Sequence, residues 1–230
     1  MSSGPTSHSG GEPPSQVEEA LWLPYYYAKL VHDRLAANGH LQSFPIGIEA
    51  ISQAVQESSE IKNIVRKPVQ SDRNIYGRFR RIHEPIANQP DTHLPVAEVA
   101  WETTADRNTR RLVICKELMH AFYSKKPINR TAGPAQMRAL LEGLVDGSRA
   151  TVMPKSPALE AESLALHTAI EVLCPFDKRE EIIFHFREDY EIIPATKLAD
   201  LFWIPAWALN QIFKKRFHDN ARLGRGFIQF

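Results

Sequence analysis

Lys116, Glu117 and His120 fall within little more than one turn of the stretch DRNTRRLVICKELMHAFYS, residues 106–124. An ammonium, a carboxylate and an imidazole so placed are the groups from which proton transfer and cation binding are built. At 100° per residue of helix, Leu112, Ile114, Cys115, Leu118, Met119, Ala121 and Phe122 take one broad face. Lys116, Glu117, His120, Tyr123 and Ser124 gather on the other, with Val113 among them. On pattern alone that second side is a solvated face.

A second carboxylate is harder to dismiss. In PALEAESLALHTAIEVLC, residues 157–174, Leu159, Leu166, Ala169, Ile170 and Leu173 trace an apolar helical stripe. Glu162 lies three residues after Leu159 and four before Leu166, inside the stripe, whereas Glu160, Ser163, His167 and Glu171 share the wet side. A carboxylate among buried aliphatics costs several kcal/mol unless a cation or hydrogen-bond donors answer it. The pattern therefore predicts a positive group facing Glu162, the alternative being the helix N-terminus and its local amides.

The segment RRLVICKELMHAFY resembles the active-site helix of a zincin metallopeptidase, whose motif is HExxH; here it reads Lys116-Glu117-Leu118-Met119-His120. The segment from Glu162 to Pro175, ESLALHTAIEVLCP, is similar to the ExxAN-x-FA-xx-LLMP signature of the ImmA/IrrE-like metallopeptidases. Glu162 matches that family's third zinc ligand, Ala165 its alanine, and Leu173-Cys174-Pro175 its Leu-Met-Pro. The order agrees as well: motif helix, loop with an intervening helix, second motif helix, further helices, across roughly residues 40–215. The family comprises bacterial and phage cytoplasmic proteins that cleave or inactivate repressors of mobile elements and stress-response genes. The resemblance implies an α+β, zincin-like fold, with a small curved sheet beside the metal-motif helix and several packed helices. It also implies Glu117 as general base and His120 and Glu162 as metal ligands, in a site where two histidines and a glutamate hold Zn²⁺ and leave one position for water.

The first ligand departs from the pattern. Lys116 stands where the family has histidine, and an ammonium at neutral pH has no lone pair to give. Leu166 replaces the usual asparagine, and Leu164 an often acidic position. Cys115 is 100° away around the helix, on the apolar face. The expectation is a preserved scaffold in which the Lys116 ammonium takes the place of the metal: no cofactor, lost peptidase chemistry, and function through binding a repressor, toxin-system or other regulatory protein. The alternative is an active zinc endopeptidase that recruits another ligand, such as His83 or His93, and keeps Glu117 as base.

The elements that must position these residues follow from periodicity and punctuation. Residues 1–14 (MSSGPTSHSGGEPP) have almost nothing to bury and are expected to be a disordered tail, with residues 15–230 forming one domain. Residues 16–38 read as a helix bent or delayed by Pro24 and closed by Asn38-Gly39, and residues 46–57 as a second helix. Two extended segments, 74–83 and 96–103, are separated by the loop EPIANQPDTHLP and predicted to pair. Asp106 is placed to cap the motif helix; residues 134–145 form a shorter helix, and Ser156-Pro157 open the helix carrying Glu162. Two or three more helices are predicted over 178–217. Within about 190–217 the spacing of Leu198, Phe202, Ile204, Leu209 and Ile212 is that of a helix-turn-helix, with Trp203 at the turn position that usually wants glycine. Its second helix carries Trp207, Asn210, Gln211, Lys214, Lys215 and Arg216, and packing within the fold is expected of it ahead of DNA contact. Arg78, Arg80 and Arg81 read as a solvated sheet edge.

Composition limits the alternatives. Hydrophobic residues are 43% and charged residues 24% of the chain, enough to bury a core. The net charge of +1 gives no general attraction to nucleic acid or membrane. Two cysteines make no disulfide framework and suit a reducing compartment. No apolar run reaches the ~18 residues of a membrane span, and the first fourteen residues lack the form of a signal peptide. A cytoplasmic protein is the expectation.

Overall fold

The computed structural model describes residues 16–41, 44–70, 76–86, 89–123, 128–131, 133–145, 157–188 and 194–226. It is an α+β fold. Its elements are α1 (Gln16–Ala37), α2 (Ile48–Ser58), β1 (Asn63–Val69), β2 (Gly77–Ile86), β3 (Gln89–Glu102), α3 (Arg107–Tyr123), β4 (Ile128–Thr131) and α4 (Pro134–Val145). These are followed by α5 (Pro157–Leu173), α6 (Phe176–Glu188), α7 (Ala195–Phe202), α8 (Ala206–Ile212) and α9 (Lys215–Gly226). None of the helices is long and apolar enough to cross a membrane. The expected tail, residues 1–14, lies outside the described residues.

The four strands form one mixed sheet in the order β1-β3-β2-β4. β1 is parallel to β3, while β2 is antiparallel to both β3 and β4. The two expected strands are therefore present, but longer. β2 and β3 continue as a hairpin through most of EPIANQPDTHLP, with His83 opposite Pro95 and Pro85 opposite His93. β1 was not anticipated, because NIVRKPV mixes charges with a proline. It is an edge strand, where a missing ladder donor is tolerated. Arg78 and Arg80 are not on an edge, since β2 lies between β3 and β4 there, although Arg80 is exposed. Arg78 pairs with Glu98 at 2.6 Å, and Arg81, one residue past the β4 ladder, donates to the Ala121 carbonyl of α3.

Pro24 does not delay α1, which begins at Gln16 and runs through it. Asp106 caps α3 as expected, its Oδ1 accepting from the Thr109 N–H at 2.9 Å. α3 is the central element, packed by α5, α2, β3 and β2. Every residue from Arg111 to Ala121 is buried, so the side expected to be a solvated face is covered by the sheet. α5 is enclosed in the same way between α3 and α1, which is why His167 and Glu171 are buried and not wet. The last helices pack α7 on α8 and extend past the expected limit, with α9 reaching Gly226.

Candidate functional site

The structure brings Lys116, Glu117, His120 and Glu162 together. Lys116, Glu117 and His120 project from consecutive turns of α3, and Glu162 meets them from α5. The three α3 residues are 0% exposed and Glu162 is 6% exposed. Lys116 Nζ is in direct contact with Glu162 Oε2 and donates to Glu117 Oε1 at 3.3 Å. His120 Nε2 lies 3.1 Å from Glu162 Oε1 and 3.9 Å from Glu117 Oε2.

The tautomer of His120 follows from what surrounds it. Its Nε2 is also 3.3 Å from Lys116 Nζ. Accepting from that ammonium would require the proton on Nδ1, which is buried without a hydrogen-bond partner. A buried donor with no acceptor is costly, whereas the Nε2–H form donates a hydrogen bond to Glu162 Oε1. The Phe79 ring lies 5.9 Å from the imidazole, adding an apolar wall. Burial pushes the Glu162 carboxyl up, but the His120 hydrogen bond and the Lys116 charge outweigh it and hold the group at about 2. Glu162 is thus a carboxylate at neutral pH, and the positive group its position demands is Lys116.

Gly77 is what allows β2 to lie against this cluster. A Cβ built there would stand 2.6 Å from Val113 Cγ1 and 2.7 Å from Glu117 Oε1. Farther along the same face of α3, Tyr123 O–H donates to Thr168 Oγ1 at 2.6 Å while Thr168 donates to the Leu164 carbonyl, a second polar tie between α3 and α5.

The residues do not fit zinc. Only His120 and Glu162 offer ligand atoms in the expected places, and the Lys116 ammonium stands against both of them. Four-coordinate zinc with an open position needs three protein lone pairs. Cys115 is not a substitute: burial pushes its thiol up to about 12, and its Sγ points to the Ala169 carbonyl. His83 and His93 are both exposed. His83 is four residues beyond Phe79 on β2, on the order of 13 Å along the strand, and His93 lies farther out along the hairpin. Among the described residues no group of three or more His, Cys, Asp or Glu is arranged to hold a metal ion.

A second buried polar group escaped sequence reasoning. Arg179 on α6 is 0% exposed; it pairs with Glu171 at 2.6 Å and donates to the Cys174 carbonyl. His167 Nε2 is 2.9 Å from Tyr25 Oη and 3.9 Å from Glu171 Oε1. Burial pushes the Glu171 carboxyl up although Arg179 opposes the shift. The sequence held a signal: two ionisable residues four apart on α5, opposite a face already filled by Glu162, need a third layer if α5 is central. These groups join α1, α5 and α6. Two helices, α7 and α8, stand where the helix-turn-helix spacing falls, with Lys215 and Arg216 on α9, and Trp203 takes the left-handed conformation between them, with φ 52°. Ala208, Leu209 and Ile212 of α8 are buried, and Arg138 stands 5.3 Å from the Trp207 ring. Comparison with protein-family models, curated proteins and solved structures finds no match to this chain.

Proposed function

We propose that this chain is a zincin-like protein of the ImmA/IrrE-like group whose cation position is filled by Lys116. It works by binding a protein partner in gene regulation and not by hydrolysing peptides. One observation carries the reading. The Lys116 ammonium touches or approaches Glu117, His120 and Glu162 at once, so a fixed positive charge occupies the place where a metal would join the two motif helices. The supporting frame is the helix pair α3 and α5 beside a small mixed sheet, with β2 laid on the motif helix through Gly77.

An ammonium there has consequences of its own. It holds the Glu162 carboxylate and so keeps α3 and α5 joined. It also leaves no Lewis acid to polarise a scissile carbonyl and no bound water of lowered pKa for Glu117 to deprotonate. With that chemistry gone, what such a scaffold retains is shape and recognition, and the partner class is the regulatory protein that the resemblance implies.

The test is elemental analysis of the purified protein together with a peptidase assay in added zinc, comparing the native chain with Glu117→Gln. Zinc far below one per chain and no cleavage by either protein is the expected result. Stoichiometric zinc with cleavage abolished by Glu117→Gln would overturn it.

A further inference from the structure

Away from that cluster, the first turns of α3 carry a buried cation with no ion pair among the described residues. Arg111 is 5% exposed, forms no ion pair among the described residues, and has both Nε and Nη2 buried without a hydrogen-bond partner there. Its guanidinium cannot escape by losing a proton as a buried lysine can. One turn earlier, Arg107 is exposed and lies over the Trp203 ring, its Cζ 3.3 Å from the ring centroid. Arg111 Cζ is 5.8 Å from the same centroid. Two guanidinium groups therefore gather on one indole, one on an exposed residue and one on a buried residue.

The acidic groups nearby are committed elsewhere. Glu49 of α2 faces Arg111 electrostatically, but its carboxylate is held by Arg66 at 3.1 Å. Asp106 is the cap of α3. Arg110, on the same turn, donates to the Thr103 and Ala105 carbonyls. Trp203 keeps its place at a cost, because φ 52° is the left-handed region that disfavours a bulky residue. Its ring is the surface that both guanidinium groups approach.

We propose that Arg107 and Arg111 form an anion site that takes a phosphate group, with Trp203 as the platform that positions them. A dianion suits two guanidinium groups better than a single carboxylate does, and the planar forks present paired N–H donors to its oxygens. Arg111 supplies donors from the protein interior, where they are strongest, and Arg107 closes over the ligand from solvent.

The probe is inorganic phosphate, titrated against the full chain at constant ionic strength and followed by thermal melting. The native protein should melt higher as phosphate rises, beyond any effect of chloride. Arg107→Ala removes an exposed side chain and leaves folding intact; it should weaken the apparent affinity about ten- to hundredfold, the loss of one hydrogen bond to a charged group. Arg111→Met should abolish the response. A native protein that responds no more to phosphate than to chloride overturns the proposal, as does a response unchanged in Arg107→Ala. A duplex oligonucleotide that stabilises the protein through the same arginines, with inorganic phosphate inert, would assign the residues to a nucleic-acid backbone and overturn the small-anion reading.

Discussion

Lys116 on α3 and Glu162 on α5 form a buried ion pair, with His120 donating to the same carboxylate from the next turn of α3. Breaking such a pair by deleting one partner is far more costly than never having built it, because the survivor stays buried with its charge. Lys116→Ala should therefore destabilise the fold by ~3–5 kcal/mol, read by urea denaturation. A loss under about 1 kcal/mol, the range of exposed pairs, would mean that the ammonium does not hold the two helices together.

The depressed Glu162 carboxyl links stability to pH. Its folded value of about 2 lies below the ordinary 4.5. The unfolded chain therefore takes up the proton first as pH falls. The contribution is complete above about 4.5, declines as pH drops through that window, and is gone below about 2; by linkage it amounts to about 3 kcal/mol. Glu162→Gln should flatten the stability profile between those limits. Identical slopes for the two proteins in that interval would refute the assignment.

Much of this site was legible because Glu162 breaks an apolar stripe, and a broken stripe demands a partner. Lys116, Glu117 and His120 were legible as a group, since one helical turn gathers them, but not as buried. Periodicity reports one covered face, and α3 has two: α5 on one side, β2 on the other. The same blindness hid His167 and Glu171, whose outer face is covered by α1 across a long gap in sequence. β1 was lost in its charges and proline, which an edge position tolerates. The β2–β3 hairpin was shortened by prolines that the ladder accommodates at Pro85 and Pro95. Trp203 was recognised as sitting where glycine belongs, yet nothing in the spacing revealed that its ring would lie beneath Arg107.

Gly77 tests whether the sheet positions the cluster. Its missing side chain leaves room for Val113 and for the Glu117 carboxylate, which Lys116 holds in place. Val113 is β-branched and stiff, so neither neighbour yields easily. Gly77→Ala should cost ~1–3 kcal/mol, the usual range for overpacking a core. Thermal melting of Gly77→Ala beside Gly143→Ala, where a Cβ meets nothing within 4 Å, separates the clash from a general effect of replacing glycine. Equal behaviour of the two variants would show that β2 has slack against α3.

Lys116→His asks whether α3 and α5 are spaced to hold a metal ion. The substitution places histidines at i and i+4 on one face of α3, with Glu162 opposite them as a third donor, through oxygen, and Glu117 beside the pair. The ammonium is then gone, so without metal the variant should lose stability as Lys116→Ala does. Added zinc should restore it, because a ligand that binds only the folded chain stabilises by RT ln(1 + [Zn]/Kd), ~2.7 kcal/mol at a hundredfold excess over Kd. The native protein, whose Lys116 occupies the position, should not respond over the same range. The double variant Lys116→His with Glu162→Gln separates a rebuilt site from zinc caught elsewhere, since it removes one ligand and should lose the response. Zinc titration followed by thermal melting reads all three proteins in one series. A Lys116→His variant indifferent to zinc would mean that α3 and α5 are spaced for an ammonium and no longer for a metal ion. The resemblance to the metallopeptidase helix pair would then survive in sequence alone.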